Sequence, residues 1–83
     1  MQYTYTMRFF TRDFVNGECV DEHRIAEYQE QTCPIPIPTV GSTILLEDVG
    51  VGLYKVKEVE FCYPDPEDEI YNYEIDVIVE ENR

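Results

Sequence analysis

Four carboxylates, Glu58, Glu60, Glu74 and Asp76, stand at alternate positions of two apolar-patterned stretches near the C-terminus. An ionised carboxylate only accepts hydrogen bonds and attracts cations. A set of them can hold a hard cation, work as an acid–base pair, or present a negative lattice to a basic surface. The stretch Ile70 to Glu80 carries apolar or aromatic residues at every odd position from Tyr71 to Val79, and mostly polar or acidic ones at the even positions. A period of two marks a half-buried strand. The run Leu53 to Tyr63 alternates as well and carries Glu58 and Glu60 outward. Carboxylates at i and i+2 of a strand lie about 6.6 Å apart, and neighbouring strands about 4.8 Å apart. Such a lattice imitates the charge spacing of a phosphate backbone.

The metal readings are weaker. Asp65-Pro66-Glu67-Asp68-Glu69 is rich in oxygens but lacks the spacing and central glycine of a calcium loop. Cys19, His23, Cys33 and Cys62 are the donors of a Cys3His zinc site. On a strand, however, Cys19 and His23 are about 13 Å apart, and only a helix would bring them one turn apart. The expectation is therefore no metal, with packed or partly exposed thiols. Catalysis has as little support. His23 is the only imidazole and Ser42 the only serine, a cysteine–histidine dyad would need a third group and a cleft, and no glycine-rich phosphate loop is present. The sequence predicts a non-enzymatic protein without a cofactor.

Composition narrows the partners. The 83 residues carry 18 acids against 6 bases, a net charge of −12, with 43% apolar residues. That balance describes a folded, self-repelling single domain spanning 1–83. The N-terminal segment, with Arg8, Arg12 and Asp13, is slightly basic, whereas the segment after residue 57 is strongly acidic. Direct binding to nucleic acid or to an anionic membrane is disfavoured, because phosphates would be repelled. No apolar run reaches the roughly 18 residues of a membrane span. The start of the chain has neither the basic residues nor the apolar stretch of a secretory signal. Three cysteines without a CxxC pair argue against a disulfide framework, so the expected setting is the cytoplasm.

The elements that position these residues can be placed. Tyr3, Tyr5, Met7 and Phe9 share one face of a first strand, and Asn16-Gly17 is a type I′ hairpin signal. A two-residue loop there puts Tyr5 across from Tyr28, Met7 across from Ala26, Arg12 across from Asp21 and His23 beside Phe10, giving an N-terminal hairpin over 2–28. A short helix over 21–31, with Asp21 as its N-cap, is the alternative. Cys33-Pro34-Ile35-Pro36-Ile37-Pro38 lacks amide donors at alternate residues, so 33–38 is expected to cross the core as an extended polyproline-like segment. The C-terminal strands occupy 43–80: a short one from Thr43 to Glu47, a turn at Val49-Gly50-Val51-Gly52, then the two alternating stretches. Matching faces pairs Tyr63 with Tyr71, Phe61 with Tyr73, Val59 with Ile75, Glu60 with Glu74 and Glu58 with Asp76. A β-bulge at Lys57-Glu58 then brings Val56 to Val77 and Tyr54 to Val79. On this reading Tyr54, Val56, Val59, Phe61 and Tyr63 are buried, whereas Phe10, Ile70 and Ile78 point outward.

Five short strands punctuated by Gly and Pro give an all-β or mostly β fold, a small five-stranded SH3-like barrel or half-open roll. The stretch Pro38 to Leu46 followed by Gly52 to Val56 resembles the turn-strand-turn-strand core of such barrels over about 20 residues. The resemblance implies architecture only.

The functional expectation is a binding protein whose partner surface is made by Glu58, Glu60, Asp65, Glu67, Asp68, Glu69, Glu74 and Asp76. Like charges directly opposite on a sheet cost a few tenths to about 1 kcal/mol, so two stacked pairs suggest a use beyond stability. They also predict a free protein that is less stable at low salt. The partner would be a basic protein, one that itself binds nucleic acid, blocked by mimicry. In size and charge the chain is similar to small acidic inhibitors encoded by phages, anti-CRISPR proteins among them. A solvating surface is the bland alternative. Two further readings are a structural or adaptor module pairing through a strand edge, as in a homodimer, and a small-ligand binder using a tyrosine-rich interior.

Overall fold

The computed structural model describes residues 2–46, 52–67 and 70–81. Five strands form one open sheet: β1 (Gln2–Val15), β2 (Glu18–Gln31), β3 (Thr43–Leu46), β4 (Gly52–Cys62) and β5 (Ile70–Glu81), in the spatial order β2-β1-β5-β4-β3. The chain is all-β; residues 21–31 are strand, and the helix alternative falls. The sheet does not close, so the half-open roll is the form adopted. The expected turn at 49–52 and the end of β3 at Glu47 fall largely outside the described residues.

The hairpin turn forms as its chemistry dictates. Asn16 (φ 53°) and Gly17 (φ 82°) both occupy the left-handed region, the requirement of a type I′ loop, and Val15 pairs with Glu18. The register then departs from the expected one. Arg12 pairs with Glu22, Thr11 with His23, Phe9 with Ala26, Met7 with Tyr28 and Tyr5 with Gln31, and the register shifts at three points. Each shift places one more residue on β2 than on β1. Extra residues on an edge strand bulge outward without disturbing the strand inside it, so a register extrapolated from the turn drifts by one at each bulge.

The β4–β5 pair shows the expected bulge, between Val56 and Glu58. Its register is offset by two: Val59 faces Val77, Phe61 faces Ile75, Glu60 faces Asp76, Glu58 faces Ile78 and Cys62 faces Glu74. A two-residue slip keeps every side chain on its expected face, which is why alternation alone does not reveal it.

β1 lies beside β5 in parallel from Gln2↔Ile70 to Phe10↔Ile78, so both strands are central. Met7, Phe9, Val56, Ile75, Val77, Val79 and Leu46 form the core on one face. The segment after β2 crosses that face as expected and lays Ile35 on the core. It ends in a turn at Gly41-Ser42, where the Gly41 amide donates to the Val56 carbonyl (2.8 Å) and the Val56 amide to the Ser42 carbonyl (2.9 Å). This strap is the only cover on the apolar face among the described residues, and its reach sets what is buried. Tyr54 and Val59 are partly covered, whereas Phe61 and Tyr63 are 51% and 74% exposed. Their expected burial is corrected: they lie on the core's side of the sheet but beyond its packed centre.

Beyond Phe10 and Ile78, β1 and β2 leave the sheet as a two-stranded arm. Phe14, Val15 and Val20 are exposed near its tip.

Candidate functional site

The carboxylate row does lie on one face, and the sheet adds cations that the sequence reading did not place there. The even positions of β1 share this face with those of β5, so Arg8 stands beside Asp76. The Arg12 guanidinium donates through Nε to Glu22 (2.7 Å), through Nη1 to Glu58 (3.3 Å) and through Nη2 to Glu60 (3.4 Å). To do so it spans β5, where Ile78 lies between Phe10 and Glu58. Ile78 is therefore buried and Phe10 half-buried, which corrects their expected exposure. Arg8 donates through Nε to Glu27 (3.1 Å), and its Nη1 lies 3.4 Å from Glu74. Lys57 lies 3.4 Å from Glu80 at the margin.

Electrostatics follows this geometry. Burial pulls the Arg8 guanidinium down, but the bond it donates to Glu27 and the charges of Glu74, Glu27 and Asp76 outweigh it and hold its pKa above the ordinary value. The Glu22 bond does the same for Arg12. Asp76 is pushed up, chiefly by burial and further by Glu74, Glu60 and Glu22, with Arg8 opposing. Its Oδ1 is buried without a hydrogen-bond partner, and Glu60 stands directly across from it. Of the two like-charge pairs expected, one such opposition is formed, with a different partner.

Asp76→Asn is therefore expected to raise stability at neutral pH by about 1 kcal/mol, since it removes the opposition to Glu60 and supplies donors to the crowded carboxylates. The pH dependence has a definite sign. The folded pKa of Asp76 lies above its unfolded value, so the folded state holds more protons between the two values. Its contribution to stability is fully present below that window and is lost as pH rises through it. The melting-temperature difference between variant and wild type should shrink on acidification. A difference independent of pH would remove Asp76 as its source.

Glu58 and Glu60 keep 54% and 47% of their side-chain surface exposed, while Glu74 and Asp76 are half-buried. Asp65 and Glu67 are exposed in the β4–β5 loop, where Asp65 Oδ1 accepts from the Glu67 amide (2.9 Å). Asp68 and Glu69 lie outside the described residues. The expected set thus divides. Glu58, Glu60, Glu74 and Asp76 gather around the two arginines, and the loop acids stand apart.

Two features escaped the sequence reading. The cross-strand pair Asp13 and Asp21 shares His23, whose Nε2 lies 3.1 Å and 3.3 Å from their carboxylates; only the true register shows it. The thiols of Cys19, Cys33 and Cys62 are all exposed and unbridged, and none joins this group.

The second feature is a ladder of rings on the opposite face. The parallel register places Tyr3 beside Tyr71 and Tyr5 beside Tyr73. Their rings stack at 5.4 and 5.6 Å between centroids, and Tyr63 meets Tyr73 edge-on at 6.0 Å. Where the strap runs past, Tyr5, Tyr73, Phe61, Tyr63, Pro34 and Ile37 help to line a groove of about 210 Å³. The tyrosines thus pave a surface instead of filling an interior.

Among the described residues no helix is long and apolar enough to cross a membrane. No known protein family, characterised protein or solved structure matches this chain.

Proposed function

We propose that this protein is a non-enzymatic binding module whose carboxylate face engages a basic protein, in the manner of an inhibitor that occupies a nucleic-acid-binding groove. The observation that carries this reading is Arg12 of β1, which holds Glu22 of β2 and Glu58 and Glu60 of β4 in one cluster. Each carboxylate has about four acceptor sites, so a single contact to Arg12 leaves capacity for a partner's lysines and arginines. Side chains already fixed lose less freedom on binding. The net charge of −12 would steer a basic partner in from a distance. The small phage-encoded acidic inhibitors are the likeness in size and charge, and a reducing cytoplasm suits three exposed, unbridged thiols.

The edge-pairing module has less support. β2, the long edge, carries three register shifts and a charged sequence; bulges and charges both deter strand addition.

The test is capture from lysate at about 0.1 M and about 1 M salt, between which the Debye length falls from about 10 Å to about 3 Å. Basic proteins should be retained at the lower salt only and released by added double-stranded DNA. Glu58→Gln with Glu60→Gln should weaken the retained interaction about tenfold while the fold persists. Capture that neither high salt nor the double substitution disturbs would refute the reading.

A further inference from the structure

We propose that the ring-paved end of the sheet is a second binding surface, one that takes an arginine side chain from an extended, proline-containing peptide segment of a partner protein. The groove holds about 210 Å³, below the roughly 300–1,000 Å³ of small-molecule pockets and suited to one long side chain. Its walls are the rings of Tyr5, Phe61, Tyr63 and Tyr73. Aromatic faces carry negative quadrupole potential, and a planar guanidinium both stacks on them and is attracted to them.

Charge complementarity selects the occupant. No cationic residue lines the groove. Arg8, on the neighbouring stretch of β1, is engaged with Glu27 and Glu74 on the other face. The acids Asp65 and Glu67 lie two and four residues after Tyr63, and their loop is tied to the ring ladder by the Tyr71 hydroxyl, which donates to the Pro66 carbonyl (3.0 Å). An arriving cation therefore meets carboxylates beside the groove and ring faces within it. A nucleobase would stack equally well but would bring phosphates toward a chain of net charge −12. The form of the segment follows from the protein's own strap, in which Pro34, Ile35 and Ile37 line the same groove as these rings. Extended proline-containing backbone packs on aromatic-lined grooves with little ordering cost.

The rings lie on the opposite side of the sheet from Glu58 and Glu60, and of the carboxylate set only Glu74 lines the groove, so Tyr63 tests this surface separately from the carboxylate face. The probe is an acetylated, amidated peptide of alternating arginine and proline, titrated into the isotopically labelled full chain and followed by NMR. Saturable shifts should centre on the rings of Tyr5, Tyr63 and Tyr73. Citrulline in place of arginine keeps the shape and removes the charge, and it should weaken binding about tenfold or more. Tyr63→Ala should do the same without moving the melting temperature, because Tyr63 is mostly exposed, while Asp13→Asn with Asp21→Asn, which removes two charges near the tip of the β1–β2 hairpin, should leave peptide binding within about twofold. Equal binding of the citrulline peptide, shifts centred on the carboxylate face, or indifference to Tyr63→Ala would each overturn the proposal. So would a concentration-dependent dimer in sedimentation that Tyr63→Ala abolishes and the peptide does not compete with, which would assign the rings to a second copy.

Discussion

Replacing Arg8 with methionine is expected to destabilise the fold by about 2 kcal/mol and to lower the melting temperature by about 10 °C or more. Most exposed ion pairs contribute no more than about 1 kcal/mol, so the larger figure needs a reason. It lies in what Arg8 faces. Glu27 keeps only 16% of its side-chain surface, and Asp76 has an oxygen removed from solvent. Methionine preserves the apolar packing of the arginine stem and leaves those acids without their central cation. Arg24, 2.7 Å from Glu27, relieves part of the loss, which is why the figure stays below that of a fully buried pair. Thermal unfolding followed by circular dichroism measures the effect. Adding Asp76→Asn to Arg8→Met should restore a fraction of the loss. A single variant within about 0.5 kcal/mol of wild type would show that the network is only a surface decoration.

Met7→Ala should cost more, about 3 kcal/mol. Met7 is 1% exposed on a central strand, flanked by Ile75 on β5 and Tyr28 on β2. A domain of this size has roughly 5–15 kcal/mol in total, and one thin face supplies most of its apolar burial. At the other end of the same strand, Phe14→Ala should cost less than about 0.5 kcal/mol, because Phe14 is 61% exposed beyond the last β1–β5 pair. Denaturant unfolding of the two variants checks that β1 is core at its beginning and arm at its end. Equal costs would contradict that division.

Local chemistry was legible in the sequence and long-range placement was not. Asn16-Gly17 dictates its turn, and the phase change between Val56 and Val59 dictates the bulge, because both depend on neighbours in the chain. Alternation assigns Glu58, Glu60, Glu74 and Asp76 to one face but is blind to a slip of two, so the partner of Glu60 is Asp76 instead of Glu74. The bulges of β2 fall at Val20, at Ile25 and in the Gln29–Glu30 step; an edge strand accommodates such extra residues on its open side, and no turn rule announces them. Arg8 and Arg12 had the right phase to join the carboxylates. Only the parallel pairing of β1 with β5 brings them there, and no turn rule reaches across that separation. The exposure of Phe61 and Tyr63 was missed for a related reason: alternation gives the face, whereas the reach of the strap decides how much of it is dry.

The parallel pairing also imposes a schedule on synthesis. β1 leaves the ribosome well before its central neighbour, β5, which begins at Ile70, some 60 residues later. At translation speeds of about 5–20 residues per second, the first hairpin waits for several seconds with Tyr3, Tyr5, Met7 and Phe9 uncovered along one side. Contacts so distant along the chain also form slowly after release. The dense charge of the β2 strand is well placed for that interval, since repulsion between nascent hairpins on adjacent ribosomes keeps their bare apolar rows from meeting before each finds its own last strand.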